Sequence, residues 1–502
     1  MLWPLVALLL ITPMFRAGAT PLAGMLCQVL SLVVLAMTLW TPRRVGIGWP
    51  EVLVLASLAA IPWLYLVPLP ESWVADLSGR ARYAQTAGLL PPAATPAFAT
   101  LSLVPAATAA AGLALLLPIA AYLGTRVLGR SSLVLVLHLL LALAATQALL
   151  GLIQFGTAQS GEAWLAVEGA SGQSATGTYA NRNHLAGLLE MMLPVSLALL
   201  FHALARQGSW SAAPGTWRRR SAFLSSGAGT AAVAYAAVSC LLIVGVVFTR
   251  SRAGILLAML GIVLAALVFA RRTSRMGALG TAGTLVMLSV AVGTVVGLAP
   301  VIERFSMAGI GDDARWLLFG RTWQGAMALF PLGGGPGSFP SLFAALQPVD
   351  LGRFVVNRAH NDYLEWLFDA GVLALMLLAG VFLLYVGQWT VLLRVRSWSR
   401  LQFCQAGAGL GLLLLALHET VEYNLHTPAN QLVFTPANQL VFAVLAAAFL
   451  LPPDRPGASP RHRRRRRTTA DPDIARTVNR PNAPEAEQIE NPFKAASGER
   501  SG

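Results

Sequence analysis

The sequence has a single lysine, Lys494, three cysteines, and only 12% charged residues in a chain of 502. So little charge cannot cover a soluble protein of that size, and 56% of the residues are hydrophobic. With a mean hydropathy of +0.64, the chain reads as an all-α, polytopic membrane protein. Cys27, Cys240 and Cys404 each fall inside an apolar run, which argues against a disulfide framework or a cysteine-bound metal. No Walker lysine and serine follow the glycine-rich stretch Leu332–Phe339, so a nucleotide site is not expected there. No cofactor and no metal are expected. A net charge of +14 would suggest nucleic acid in a soluble chain. Here most arginines sit in short clusters between apolar runs, so the expected partner is membrane lipid and not nucleic acid.

Apolar segments of about 17 to 25 residues divide residues 1–451 into about twelve transmembrane spans, among them 2–15, 50–68, 277–299, 363–393 and 428–451. Residues 1–19 end in Ala17-Gly-Ala19 as a signal peptide does, but they lack a basic n-region and are read as the first span. With the N-terminus in the cytoplasm, the clusters Arg43-Arg44, Arg126 with Arg130, Arg218–Arg220, Arg271-Arg272 and Arg394 with Arg396 all fall on that side. Arg461–Arg467 in the tail is the densest cluster, so both termini are expected to be cytoplasmic. Residues 452–502, rich in Pro, Arg, Asn, Glu and Ser, are expected to form a disordered basic tail. Thr427–Phe434 is repeated at once as Thr435–Phe442, which adds about two helical turns and is expected to push one Asn and one Pro into the hydrocarbon.

The opposite face collects the loops 69–104, 157–184 and 300–360. Against the charge rule it also holds Arg182, Arg250, Arg252, Arg304, Arg315, Arg321, Arg353 and Arg358. Any one of these can pair with a nearby carboxylate or a lipid headgroup, but as a set they describe an anion site. Two arginines in the turn Thr249-Arg250-Ser251-Arg252 cannot both snorkel easily, and they place fixed cations at the depth of a lipid-linked diphosphate. In Gly177–His184 the amides of Asn181 and Asn183 can hold a sugar or phosphate, although such residues also make turns and caps. The glycines before Phe339 suit close approach of a glycan or lipid head to the backbone.

The fourth patch, Asn357–Trp366, places His360 at the threshold of a span. Asp362, Glu365 and Asp369 share one helix face. Asp362 and Glu365 also have capping-box spacing, an account that leaves His360 without a role. A histidine held by carboxylates can take a proton from an attacking hydroxyl. Asp362 and Glu365 are therefore expected to set the tautomer of His360, with Asn361 and Tyr363 beside it as further candidate contacts.

The ordered set GTYANRNHLAG, FTRSRAG, PLGGGPGSF, AHNDYLEWLFDAGV and ETVEYNLHTPAN resembles the O-antigen ligase and O-antigen polymerase superfamily of bacteria. The resemblance covers roughly residues 170–445 and implies a helical membrane glycosyltransferase, independent of metal, in the bacterial inner membrane. Its donor would be a glycan on undecaprenyl diphosphate, used on the periplasmic face in O-antigen or exopolysaccharide assembly. The acceptor would be lipid A core, a growing glycan or a protein hydroxyl. By the same resemblance Arg252 matches the arginine of the family's SR motif, Arg321 the arginine before the glycine-rich turn, and His360 the histidine of the HND motif, with Arg250 as helper. The interval from Arg321 to Pro331 is shorter than the family pattern. A transporter or flippase of lipid-linked sugars would also use outward arginines, but it predicts polar residues along a whole path and an internal repeat.

Overall fold

The computed structural model describes residues 1–14, 21–42, 46–80, 98–159, 174–206, 225–273, 280–281, 283–287, 291, 315–349, 356–425 and 436–452. Most of the span expected over 277–299, the first copy of the duplicated octapeptide, Arg304, Arg353 and the tail from 453 lie outside the described residues.

In chain order the helices are α1 (Leu2–Met14), α2 (Pro21–Trp40), α3 (Trp49–Leu64), α4 (Glu71–Ala75), α5 (Pro105–Ala114), α6 (Leu116–Arg126), α7 (Arg130–Gln159), α8 (Arg182–Ala205), α9 (Gly227–Thr249), α10 (Arg252–Ala270), α11 (Arg315–Leu329), α12 (Phe339–Phe343), α13 (Asp362–Arg394), α14 (Arg400–His418) and α15 (Pro436–Phe449). One antiparallel pair of two-residue strands, Leu69–Pro70 with Phe98–Ala99, is the departure from an all-α fold among the described residues. Eight segments there are long and apolar enough to cross a membrane, α5 and α6 counting as one, and α1, α3 and α15 are shorter apolar helices. The protein is an all-α polytopic membrane protein.

Two helices form the centre. In α8 and α14, 83% of the most apolar stretch is buried, against at most half in the other six candidate spans. Apolar attraction between helices is weak in lipid, so close packing has to hold them. Gly407 and Gly411, one turn apart on α14, provide it. A Cβ on Gly407 would lie 2.7 Å from the carbonyl oxygen of Pro194 in α8, and one on Gly411 would run into that of Met191.

Helix α13 fills the expected span but breaks at Gly371, where φ is 53° and ψ −128°. The cause is Pro331, whose carbonyl accepts a hydrogen bond from the backbone N–H of Val372 at 2.8 Å. No side chain would fit beside that carbonyl. The glycine-rich turn, expected to admit a ligand, is occupied by the protein itself. The Asp369 carboxylate accepts from the backbone N–H of Gly337 at 2.6 Å and of Phe339 at 2.9 Å, and from the Ser338 hydroxyl at 3.2 Å. Arg80 Nη2 donates to the carbonyls of Gly333 and Leu101 at 2.9 and 2.7 Å, and the Tyr65 hydroxyl donates to that of Leu332. Those glycines admit α13, which starts two residues after His360.

Asn438, from the second copy of the duplication, is also enclosed by protein. Its Nδ2 donates to the His184 carbonyl and to Asn424 Oδ1, both at 2.8 Å, and its Oδ1 accepts from the Tyr179 hydroxyl at 3.1 Å. Its polar groups are thus fully engaged inside the bundle, while Asn430 of the first copy lies outside the described residues.

Candidate active site

The three sequence patches that carry Asn181, Arg250 and His360 fold into the same kind of device, a helix start. Asn181 caps α8, its side chain accepting from the Asn183 N–H at 2.9 Å. Helix α9 ends at Thr249, Arg250 turns the chain at φ 56°, and Ser251 caps α10 by accepting from the Gly254 N–H at 3.3 Å. Asn361 caps α13, accepting from the Leu364 N–H at 3.0 Å. The cap is therefore Asn361, one residue before the expected Asp362, which instead accepts from the Leu425 N–H at 3.0 Å.

Among the described residues Arg250 and His360 (φ 52°) are the non-glycine residues with positive φ. Such a conformation costs on the order of 1–3 kcal/mol and persists only where the surroundings enforce it. Both residues belong to one neighbourhood. A cavity of about 210 Å³ is lined by Arg182, Arg250, Arg252 and Arg315, with Asn183, Glu422 and His418. The starts of α8 and α10 both open on it, so two helix dipoles add their positive ends to four guanidinium groups. Backbone N–H groups and arginines of this kind suit an anion with several oxygens, and arginine is built for bidentate contact with phosphate.

Glu422 is the one carboxylate among the lining residues. Its Oε2 accepts from Arg315 Nη2 at 3.2 Å and from the Asn183 amide, and its Oε1 lies 3.0 Å from His360 Nδ1. Burial opposes ionisation of Glu422, but the hydrogen bond with His360 and the charge of Arg315 outweigh it and hold the carboxyl well below the usual range. Tyr423 meets the rings of His184 and His360 edge-on, at 4.9 and 4.8 Å between centroids. His360 is thus fixed in position, with its side chain still 33% exposed and its Nε2 edge left for chemistry.

The structure redistributes the expected roles. Glu365 accepts from Arg358 Nη1 at 2.6 Å and from the Ala359 N–H at 2.9 Å, so it clamps the approach to His360 and leaves the ring to Glu422. Asn361 Nδ2 donates to the Thr420 carbonyl at 2.8 Å. Tyr363 donates to the Ala416 carbonyl at 2.6 Å and lines a different, apolar cavity of about 490 Å³ with Leu58, Leu378, Phe382 and Leu412. Arg321 is exposed on α11, where its Nη1 donates to Gln324 Oε1 at 3.2 Å. Arg315, less than two turns earlier on the same helix, occupies the cavity instead.

Four ionisable lining residues were not singled out as site residues by sequence reasoning: Arg182, Arg315, His418 and Glu422. Arg182 and Arg315 stood in the outward arginine set, and Glu422 in the ETVEYNLH stretch, without a local pattern to single them out.

Residues 236–379 match the O-antigen ligase family. This match supports membership of the O-antigen ligase and polymerase superfamily. The matched stretch runs from within α9 through Arg250, Arg252, Arg315 and His360 to the middle of α13, and so carries most of the cavity. Arg182, Asn183, His418 and Glu422 lie outside it, and their place in the site rests on the cavity geometry. No curated protein sequence matches the chain.

Proposed function

We propose that this O-antigen ligase-type protein transfers a glycan from undecaprenyl diphosphate to an acceptor hydroxyl, on the periplasmic face of the inner membrane with both termini in the cytoplasm. The observation that carries the reading is the convergence of four arginines and two helix N-termini on one cavity, beside a His–Glu pair. Cationic side chains fixed before the reaction stabilise charge as it develops, without reorganisation cost. The charge in question is that of the departing diphosphate.

In this mechanism the acceptor oxygen forms a bond to the anomeric carbon as the bond from that carbon to the diphosphate oxygen breaks. The electron pair leaves with undecaprenyl diphosphate, where Arg252, Arg250, Arg315 and Arg182 compensate it. The acceptor proton passes to Nε2 of His360, whose Nδ1 is held by Glu422. The apolar cavity beside Tyr363 suits the polyprenyl chain, since its lining is almost wholly aliphatic and aromatic. Asn183 and Asn181 remain candidates for sugar contacts. The test is glycan transfer in membranes from cells making the protein, with Arg252→Ala and His360→Ala as variants. Both are expected to lose transfer, and full activity in either at normal expression would sink the assignment.

A further inference from the structure

One residue that lines the cavity, His418, belongs to a second histidine–glutamate pair that the mechanism above does not use. His418, the last residue of α14, and Glu190, in the third turn of α8, meet at 2.8 Å between Nδ1 and Oε1, with side-chain exposures of 1% and 0%. Ionisable side chains at such depth are costly and are kept for a task. Glu422 is committed to His360, and three other buried carboxylates have structural tasks. Glu419 binds the backbone N–H and side-chain amide of Asn424 at 2.6 and 2.7 Å, Glu365 binds Arg358 and a backbone N–H, and Asp369 binds the glycine-rich turn. Glu190 differs, because its Oε2 makes no hydrogen bond and its Oε1 goes to His418.

A carboxylate devoted to one histidine fixes the direction of that ring. With Nδ1 turned to Glu190, the Nε2 edge is what His418 can present to the cavity it lines. The His418 side chain is 1% exposed, whereas that of His360 is 33% exposed. We propose that His418, oriented by Glu190, is a further anion-binding side chain of the cavity and holds the leaving diphosphate. A ring donating Nδ1–H to Glu190 and Nε2–H to a phosphate oxygen forms a chain of alternating charge, with Glu190 as positioning residue. This rests on the reading of the cavity as a diphosphate site.

The experiment measures binding of inorganic pyrophosphate to the purified full-length protein, by the ligand-dependent rise of its thermal midpoint, and needs no knowledge of the sugar. His418→Gln, Glu190→Gln, the double variant and Arg252→Ala are compared. Loss of one charge-assisted hydrogen bond weakens affinity at least about ten-fold. The expected result is a loss of that size in both single variants and no larger loss in the double, because Glu190 acts through His418. A purely structural Glu190 would lower the ligand-free midpoint and leave pyrophosphate affinity alone, which overturns the proposal. Unchanged affinity in His418→Gln with weakened affinity in Arg252→Ala overturns the dyad while the diphosphate reading stands. Unchanged affinity in all variants, Arg252→Ala included, overturns both.

Discussion

His360 takes its carboxylate partner from 62 residues away, Nδ1 lying 3.0 Å from Oε1 of Glu422, although Asp362 and Glu365 are near neighbours in the chain. The nearer carboxylates are committed to the chain's own backbone and to Arg358. Glu422, just beyond the end of α14, joins His360, Arg315 and Asn183 in one network.

Glu422→Gln removes the charge that orients His360 and balances Arg315. Loss of an orienting partner of this kind costs roughly 10–100-fold. Glycan transfer in membranes is expected to fall by about that factor at normal expression. Wild-type transfer in this variant would show that His360 works without Glu422.

The two arginines of α11 should separate cleanly. Arg315→Ala removes a cation from the cavity, and transfer is expected to drop on the order of 10²-fold, as when one preorganised donor to a developing charge is deleted. Arg321→Ala touches an exposed contact with Gln324 and is expected to retain transfer within about two-fold, a surface pair being worth at most ~1 kcal/mol. The reverse order of effects would return Arg321 to the site.

Glu419 gives the fold a pH dependence of definite sign. Burial, and then the Asp362 carboxylate that shares its proton, raise the Glu419 pKa well above the usual carboxylate value. The unfolded chain releases this proton near pH ~4.3, while the folded protein retains it to higher pH. The contribution is therefore complete below that pH and is lost as pH rises toward the folded pKa. Glu419→Gln, which keeps a donor toward Asp362 and one of the two acceptors that Asn424 uses, is expected to flatten the decline of thermal midpoint as pH rises above about 4.3. A variant whose midpoint follows the wild type across that range would remove Glu419 as its source.

Gly371 and Gly387 lie on the same helix in opposite circumstances. At Gly371 an alanine would face both the Pro331 carbonyl and a positive φ, and the variant is expected to lose about 2–5 kcal/mol, combining strain and overpacking. At Gly387 nothing lies within 4 Å of the added Cβ, so alanine is expected to stabilise by about 0.5–1 kcal/mol. Thermal unfolding of the two variants in one detergent decides the comparison, and equal midpoints would mean that α13 does not need its break.

The sequence by itself determined the membrane class and the all-α architecture, and marked the loop arginines as a set, because these depend on runs of like residues that composition and spacing reveal. It also exposed His360, since a histidine at the threshold of a span needs a reason that helix capping does not provide. Several near-range inferences went astray for one physical reason. A helix start offers many donors and acceptors within a few residues, and which pair forms depends on the neighbouring helices. Asn361 took the cap from Asp362, Asp369 was drawn to the glycine-rich turn, and Arg321 was left outside by the rotation of α11. Only the tertiary structure decided that α8, α10 and the end of α14 meet at one cavity, so that Arg182, Arg252, His418 and Glu422, far apart in sequence, become neighbours. Close packing of α14 on α8 through Gly407 and Gly411 provides the contact that brings His418 to Glu190, and no local pattern in the chain encodes that distance.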